Sequence, residues 1–363
     1  MLKKNFSEAV ARNKRFLKRQ MMDGILLKTI VLDNPYAVAE NRDKTWADRD
    51  CLALSDSGWI MKTCRYDNMV YLDVDDDTIP HGYLTSHFGE SIYSALLGGN
   101  IRFVGNEYTT CSGAEPLICN IGDMDKLNGY ENNHWVQVFA ETAQNFAKET
   151  RADFWLRYFI CIDALNLAVE LLGSTQAYYM LYEDEALVRA IMEFGINFND
   201  WFYRLQKSIY EDNNKAALED AELYSLYDKT WYSIDAYDVC DPNMYKVLGF
   251  EYQQALISRV GGGMMHTHGT GLLKLLPHIA QLDGMGILQI GRDLYSQEEL
   301  GIENLQRIRE QTGDIPLQFS LSEHEFYDGI KGKTLPCGVE YICSAKTIDE
   351  ANRMAYMAKG YHV

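Results

Sequence analysis

The sequence predicts an α/β protein: a (β/α)8 TIM barrel with an N-terminal helical elaboration, with residues 1–363 forming a single domain. Three observations predict it. Short apolar runs alternate with amphipathic segments through the C-terminal half. The strand candidates number eight. No repeat at a fixed period and no long Pro/Gly/Ser linker divides the chain. An open doubly wound sheet is the runner-up, but no glycine-rich dinucleotide fingerprint follows an early strand.

The elements follow in order. Residues 1–20 carry Lys3, Lys4, Arg12, Lys14, Arg15, Lys18 and Arg19 with Glu8 among them, the spacing of an amphipathic surface helix; no signal-peptide apolar core follows. Ile25–Leu32, Met69–Val74, Phe154–Ile162 and Thr230–Ile234 are strand candidates, with helices predicted over Asn132–Glu149, Leu165–Gly173 and Asp184–Tyr210. Gly262–His268, Ile287–Gly291, Leu317–Leu321 and Val339–Cys343 read as strands. Helices over Leu272–Leu282, Gln297–Gln311, His324–Ile330 and Thr347–Lys359 follow them. This spacing implies a parallel sheet covered by helices.

Composition excludes several classes. Apolar residues make up 47% and charged residues 24%, ordinary for a globular chain, and the net charge is −18. Phosphate backbones need basic surface, so nucleic acid is not an expected partner. A polyanionic substrate is repelled unless a local basic cluster receives it. No run of 18 apolar residues predicts a membrane span. The eight cysteines are scattered and none lies in a CxxC pair, which reads as reduced thiols and a cytoplasmic location.

Barrel chemistry sits at the C-terminal ends of strands. Met69–Val74 runs into Asp73, Asp75, Asp76 and Asp77, carboxylates close enough to perturb one another; the alternative is a solvated acidic loop. Thr230–Ile234 runs into Asp235, Tyr237 and Asp238, while Asp241 before Pro242 reads as a helix cap. His266 and His268, two apart on one strand, share a face and form half of a metal site; Cys343, ending the last strand, is the candidate third ligand for zinc. Histidines lining a metal-free pocket are the other reading of the pair. Asp293, after ILQIG, and Glu323, His324 and Glu325, after LQFSL, add polar strand ends; paired carboxylates there also suit a glycosidase.

The order of segments resembles the uroporphyrinogen decarboxylase-like superfamily, which includes decarboxylases and corrinoid-linked zinc methyltransferases. RNKRFLKRQMMDGILLK is similar to the family's helix leading into strand one, and YLDVDDDTIP to the segment carrying its catalytic aspartate, which falls on Asp75. ELLGSTQAYYMLYEDEALVRAIMEF and the C-terminal GVEYICSAKTIDEANRMAYMAKGY are similar to further family segments. The zinc enzymes carry His-x-Cys where this chain has His266-x-His268, with a further cysteine near the place of Cys343 or Cys337. The decarboxylase's strand-one arginines are missing: ILLKTIVLDNPYA offers Lys28 alone. A corrinoid-binding Asp-x-His-x-x-Gly motif is absent.

The resemblance implies a methyltransferase. It would move a methyl group between a corrinoid on a partner protein and a thiol or folate acceptor, with Asp75 and Asp235 catalytic. Asp73, Tyr237, Asp238 and Asp293 would bind substrate, and zinc would sit on His266, His268 and Cys343. A homodimer is the family's common state. The alternative is a metal-free lyase or decarboxylase, acting on something other than uroporphyrinogen, or another small-molecule enzyme on the same barrel.

Overall fold

The computed structural model describes residues 3–36, 67–84, 91–105, 110–150, 152–268, 271–292 and 301–363. Helix α1 (Phe6–Leu17) leads into β1 (Leu26–Val31). Short strand β2 (His81–Gly82), helix α2 (Ile92–Leu96) and the antiparallel hairpin β3 (Ile101–Gly105) and β4 (Thr110–Ala114) follow. Helix α3 (His134–Thr150) precedes β5 (Trp155–Leu156) and β6 (Cys161–Ile162). Helices α4 (Ala164–Leu172), α5 (Ser174–Glu183), α6 (Glu185–Leu218) and α7 (Ala221–Tyr227) lead to β7 (Trp231–Ser233). The remainder alternates strand and helix: α8 (Phe250–Val260), β8 (Met264–His268), α9 (Gly271–Ile279), β9 (Ile287–Gly291), α10 (Ile302–Thr312), β10 (Leu317–Leu321), α11 (Glu323–Gly332), β11 (Val339–Ala345) and α12 (Ile348–Lys359).

Seven parallel strands form one sheet in the order β1-β11-β10-β9-β8-β7-β6. Strands β5 and β6 belong to one extended stretch, and β5 pairs in parallel with β2. The strands thus run around a TIM-barrel-like circuit from β2 to β1, covered outside by helices. No backbone ladder closes the seam between β1 and β2 among the described residues. The Asp77 amide donates to the Leu27 carbonyl at 2.9 Å, and side chains supply the rest. The Leu27 amide donates to Asp77 Oδ2 at 3.0 Å, and the Thr29 amide donates to Asp76 Oδ2 at 2.7 Å. Both carboxylates are buried beside cations: Lys3 Nζ is 3.0 Å from Asp76, and Arg12 Nε is 2.6 Å from Asp77.

This seam corrects the expected strand over Met69–Val74. Asp67–Met69 and Val70–Leu72 are helical turns that bury Val70 and Val74. The edge of β1 is already engaged by the Asp76 and Asp77 carboxylates and the Asp77 amide, so an apolar segment there has no ladder to join.

The long helix α6 explains why β5 and β6 are separate. Asp184 caps it by accepting from the Leu187 amide, and Leu187, Ile191, Phe198 and Phe202 bury one face. Three buried amides on that helix bond the backbone of the strand beneath. Asn199 takes both polar groups of Ile162, and Asn214 takes both of Leu156; Gln206 accepts from the Phe159 amide. Helix side chains stand in for a neighbouring strand across the interruption.

Elsewhere, expectation and structure agree closely. Strands β9 and β10 have the expected bounds, and the helix expected over Gln297–Gln311 is α10, residues 297–300 lying outside those described. Asp241 caps the turn at Pro242, accepting from the Asn243 amide at 2.7 Å. No helix of the described residues is long and apolar enough to cross a membrane.

Candidate active site at the barrel mouth

A cavity of about 700 Å³ opens where β5, β6, β7 and β8 end. Tyr83, Tyr93, Phe159, Tyr178 and Trp231 give it an aromatic wall. Arg157, Asn166, Glu170, Asp235, His266 and Gln289 supply its polar groups. The combination suits a mostly apolar small molecule held by a few directed contacts.

The turn after β7 positions Asp235. Asn166, in the first turn of α4, accepts from the Ala236 amide at 2.6 Å and donates to Ser233 Oγ at 3.1 Å. Tyr178 adds a bond from its hydroxyl to the Ala236 carbonyl at 3.0 Å. Asp163 caps α4 below this turn, accepting from the Asn166 amide. It is fully buried, and burial pushes its carboxyl up to about 7.

His266 is oriented by a chain of side chains, one from each of five neighbouring strands. Its Nδ1 meets Gln289 Oε1, Gln289 Nε2 donates to Gln318 Oε1, and Gln318 Nε2 donates to Glu340 Oε1. Lys28 Nζ ends the chain, 2.8 Å from Glu340 Oε2. Burial works against the Lys28 charge, but Glu340 outweighs it and holds the amine above its usual range. An ionised carboxylate only accepts, so Gln318 must turn its NH2 to Glu340 and Gln289 must turn its NH2 to Gln318. Gln289 therefore offers an acceptor to His266, whose Nδ1 carries a proton.

Arg157 packs against two rings, its Cζ 3.9 Å from the centroid of Tyr83 and 3.3 Å from that of Trp231. It lies in the gap between β5 and β6, directly after Leu156, and reaches the barrel interior.

The expected site residues separate clearly. Asp235 and His266 line the cavity. Asp75 does not: it is exposed, its amide donating to Asn352 on α12 and its carbonyl accepting from Asn5. Asp73 accepts from the Tyr36 hydroxyl at 2.5 Å, and its carbonyl accepts from Asn352, away from the mouth. Tyr237 is core, packed edge-on against Tyr245. Asp238 accepts from the Gly271 amide at the start of α9. A Cβ on Gly271 would lie 2.1 Å from that carboxylate, so the contact requires glycine. Asp293 and the side chain of His268 lie outside the described residues.

Cys343 is the main correction to the expected metal set. Glu340 and Ile342 face the barrel interior, so Cys343 faces the helix layer by strand alternation. Burial, with the charge of Glu325, pushes its thiol up to about 12. His266 and Cys343 therefore share no site, and no group of three or more metal-ligating side chains forms among the described residues. The donor set proposed for zinc does not fit.

No protein-family model matches the chain, and no curated protein matches it. A solved structure does. The chain has the fold of a methyltransferase. That protein, a methyltransferase from Methanosarcina mazei, is 10% identical and superposes with a TM-score of 0.65 over 97% of this chain and 98% of its own. At that identity the likeness speaks for the fold.

Arg157, Trp231, Gln289 and Glu170 are site residues that the sequence reading passed over. The available signal was an arginine inside the apolar run FWLRYFICI, where a charge needs a reason.

Proposed function

We propose that the chain is a methyltransferase of the uroporphyrinogen decarboxylase-like superfamily. It would transfer a methyl group between a corrinoid carried by a partner protein and a thiol or folate acceptor bound at the barrel mouth. The observation that carries this reading is the aromatic cavity at the strand ends, in a chain whose fold matches a methyltransferase over nearly its whole length.

The corrinoid would supply the methyl group as an electrophile. The chain's residues would prepare the acceptor. Phe159, Tyr83 and Trp231 pack against its apolar body and keep water out. His266 Nε2 takes the proton as the acceptor's sulfur or nitrogen gains the methyl group. Asp235, which lines the same cavity, would orient the acceptor. No step runs through zinc.

The lyase alternative places its acid on Asp75, which does not line the cavity, and keeps His266, which does, as a proton carrier.

The test is transfer from free methylcobalamin to a panel of thiols and a tetrahydrofolate, with metal content measured in parallel. Wild-type protein is expected to methylate at least one acceptor. His266→Ala and Asp235→Asn are expected to lower kcat by about 10²-fold or more, while Asp75→Asn leaves it unchanged. Failure of every acceptor overturns the reading. Stoichiometric zinc lost in His266→Ala would place a metal here on ligands other than Cys343.

A further inference from the structure

A second cavity, of about 230 Å³, lies deeper in the barrel and reaches down to Asn13 and Leu17 of α1. The interior of a TIM barrel is ordinarily filled by layers of inward side chains, so a chamber there is unusual. Among the described residues only Arg157, Trp231 and Gln289 line both this chamber and the mouth. These three side chains are the partition between the two.

Each is held in place by the protein itself. Gln289 is fixed at both ends, by His266 and by Gln318. Arg157 is hydrogen-bonded to Tyr83 and lies under the charge of Glu340. Its guanidinium rests on the Trp231 ring, with Cζ 3.3 Å from the centroid. Trp231 is the anchor of the three. It opens β7, one inward-facing step before Ser233 and in register with Met264. It packs against the apolar cluster of Phe16, Met21, Leu26, Met264 and Ile287, which ties it to α1 and β1. An arginine alone has many rotamers; stacked on an anchored indole it keeps one.

The deeper chamber has its own internal contacts. Lys28 pairs with Glu340, Glu340 accepts from Gln318, and the Tyr227 hydroxyl donates to Asn13. None of these contacts calls for a substrate group.

We propose that Trp231 is a specificity-determining residue: with Arg157 stacked on it, it forms the floor of the mouth and sets the longest acceptor the site takes. The substrate class is then a compact acceptor that fits whole within the mouth's volume of about 700 Å³. Chains that would have to reach the barrel centre are refused. The inference rests on the mouth being the acceptor site and does not require methyl transfer.

Binding of ω-mercaptoalkanols of two to ten carbons tests it. They carry the acceptor thiol at one end and, at the other, a neutral polar group that the deeper chamber can hydrogen-bond. Affinities are read by calorimetry on the full chain. In wild type each added methylene is expected to tighten binding about four-fold up to a limiting length, beyond which binding falls ten-fold or more. Trp231→Ala, which opens the floor, is expected to raise that limit by about two carbons or more. Trp231→Phe, which keeps a ring for Arg157 and for the lower cluster, raises it by about one. Tightening through all ten carbons in wild type overturns the proposal without any variant. So does a folded variant of either kind whose limit is that of wild type, and so does failure of the short members to bind wild type. A limit that moves with Trp231, in protein that methylates nothing, fails the methyl-transfer reading and leaves the floor in place.

Discussion

Glu340 acts at a distance through amides that cannot choose their own direction. Each glutamine in the chain can face either way in isolation; the acceptor-only carboxylate removes that freedom step by step until it reaches His266. Replacing Glu340 by Gln introduces a group that both donates and accepts, so the direction is lost. Nitrogen-15 spectra of the His266 ring are expected to show the Nδ1–H tautomer in wild type and a mixture in Glu340→Gln. An Nε2–H ring in the wild type would refute the relay. The sequence showed His266 and its strand, because HTH at a strand end is conspicuous. It did not show Gln289, Gln318 and Glu340, which lie far apart in the chain and meet only through register. Cys343 was misplaced by one residue of strand parity, the smallest error that sends a side chain to the other face.

Among the elements, α4 carries the clearest dependence on pH. Its cap, Asp163, is protonated in the folded chain up to about pH 7, whereas an exposed aspartate ionises near 3.8. Between those values the folded state holds the extra proton. The stability contributed is full below about pH 4 and is lost as pH rises through about 7. Asp163→Asn keeps an oxygen for the Asn166 amide and removes the titration. Its melting temperature is expected to fall less than that of wild type between pH 5 and pH 8; parallel curves would count against this. The strands after residue 262 were legible because each is a short apolar run between turn signals. Met69–Val74 carries the same apolar signature and is helical, because what β1 needed was carboxylates rather than another strand. Arg157 was illegible for a related reason: it falls in the middle of the run expected as one strand over Phe154–Ile162, and only the structure breaks that run just before it.

For the whole molecule, the seam between β1 and β2 is where the barrel circuit depends on side chains and a single backbone bond among the described residues. Asp76 receives the Thr29 amide and hydroxyl, the Thr78 amide and hydroxyl, and the Lys3 ammonium. Asp76→Ala leaves the buried Lys3 ammonium without its counter-ion and the Thr29 amide unsatisfied, and is expected to cost about 3–5 kcal/mol in urea unfolding. A loss below 1 kcal/mol would show that the seam is not a structural closure. The acidic run that suggested catalysis is thus divided in the fold: Asp76 and Asp77 hold the barrel together, while Asp75 faces solvent.

The amides of α6 set a measured spacing. Asn199, Gln206 and Asn214 meet Ile162, Phe159 and Leu156 in reverse order, so helix and strand are read against each other like two scales. Sliding the strand by one residue would break all three pairings at once. An insertion within either segment therefore needs a matching change in the other. The two form one inheritable unit, and a graft of this cavity wall onto another barrel would have to carry the helix with it.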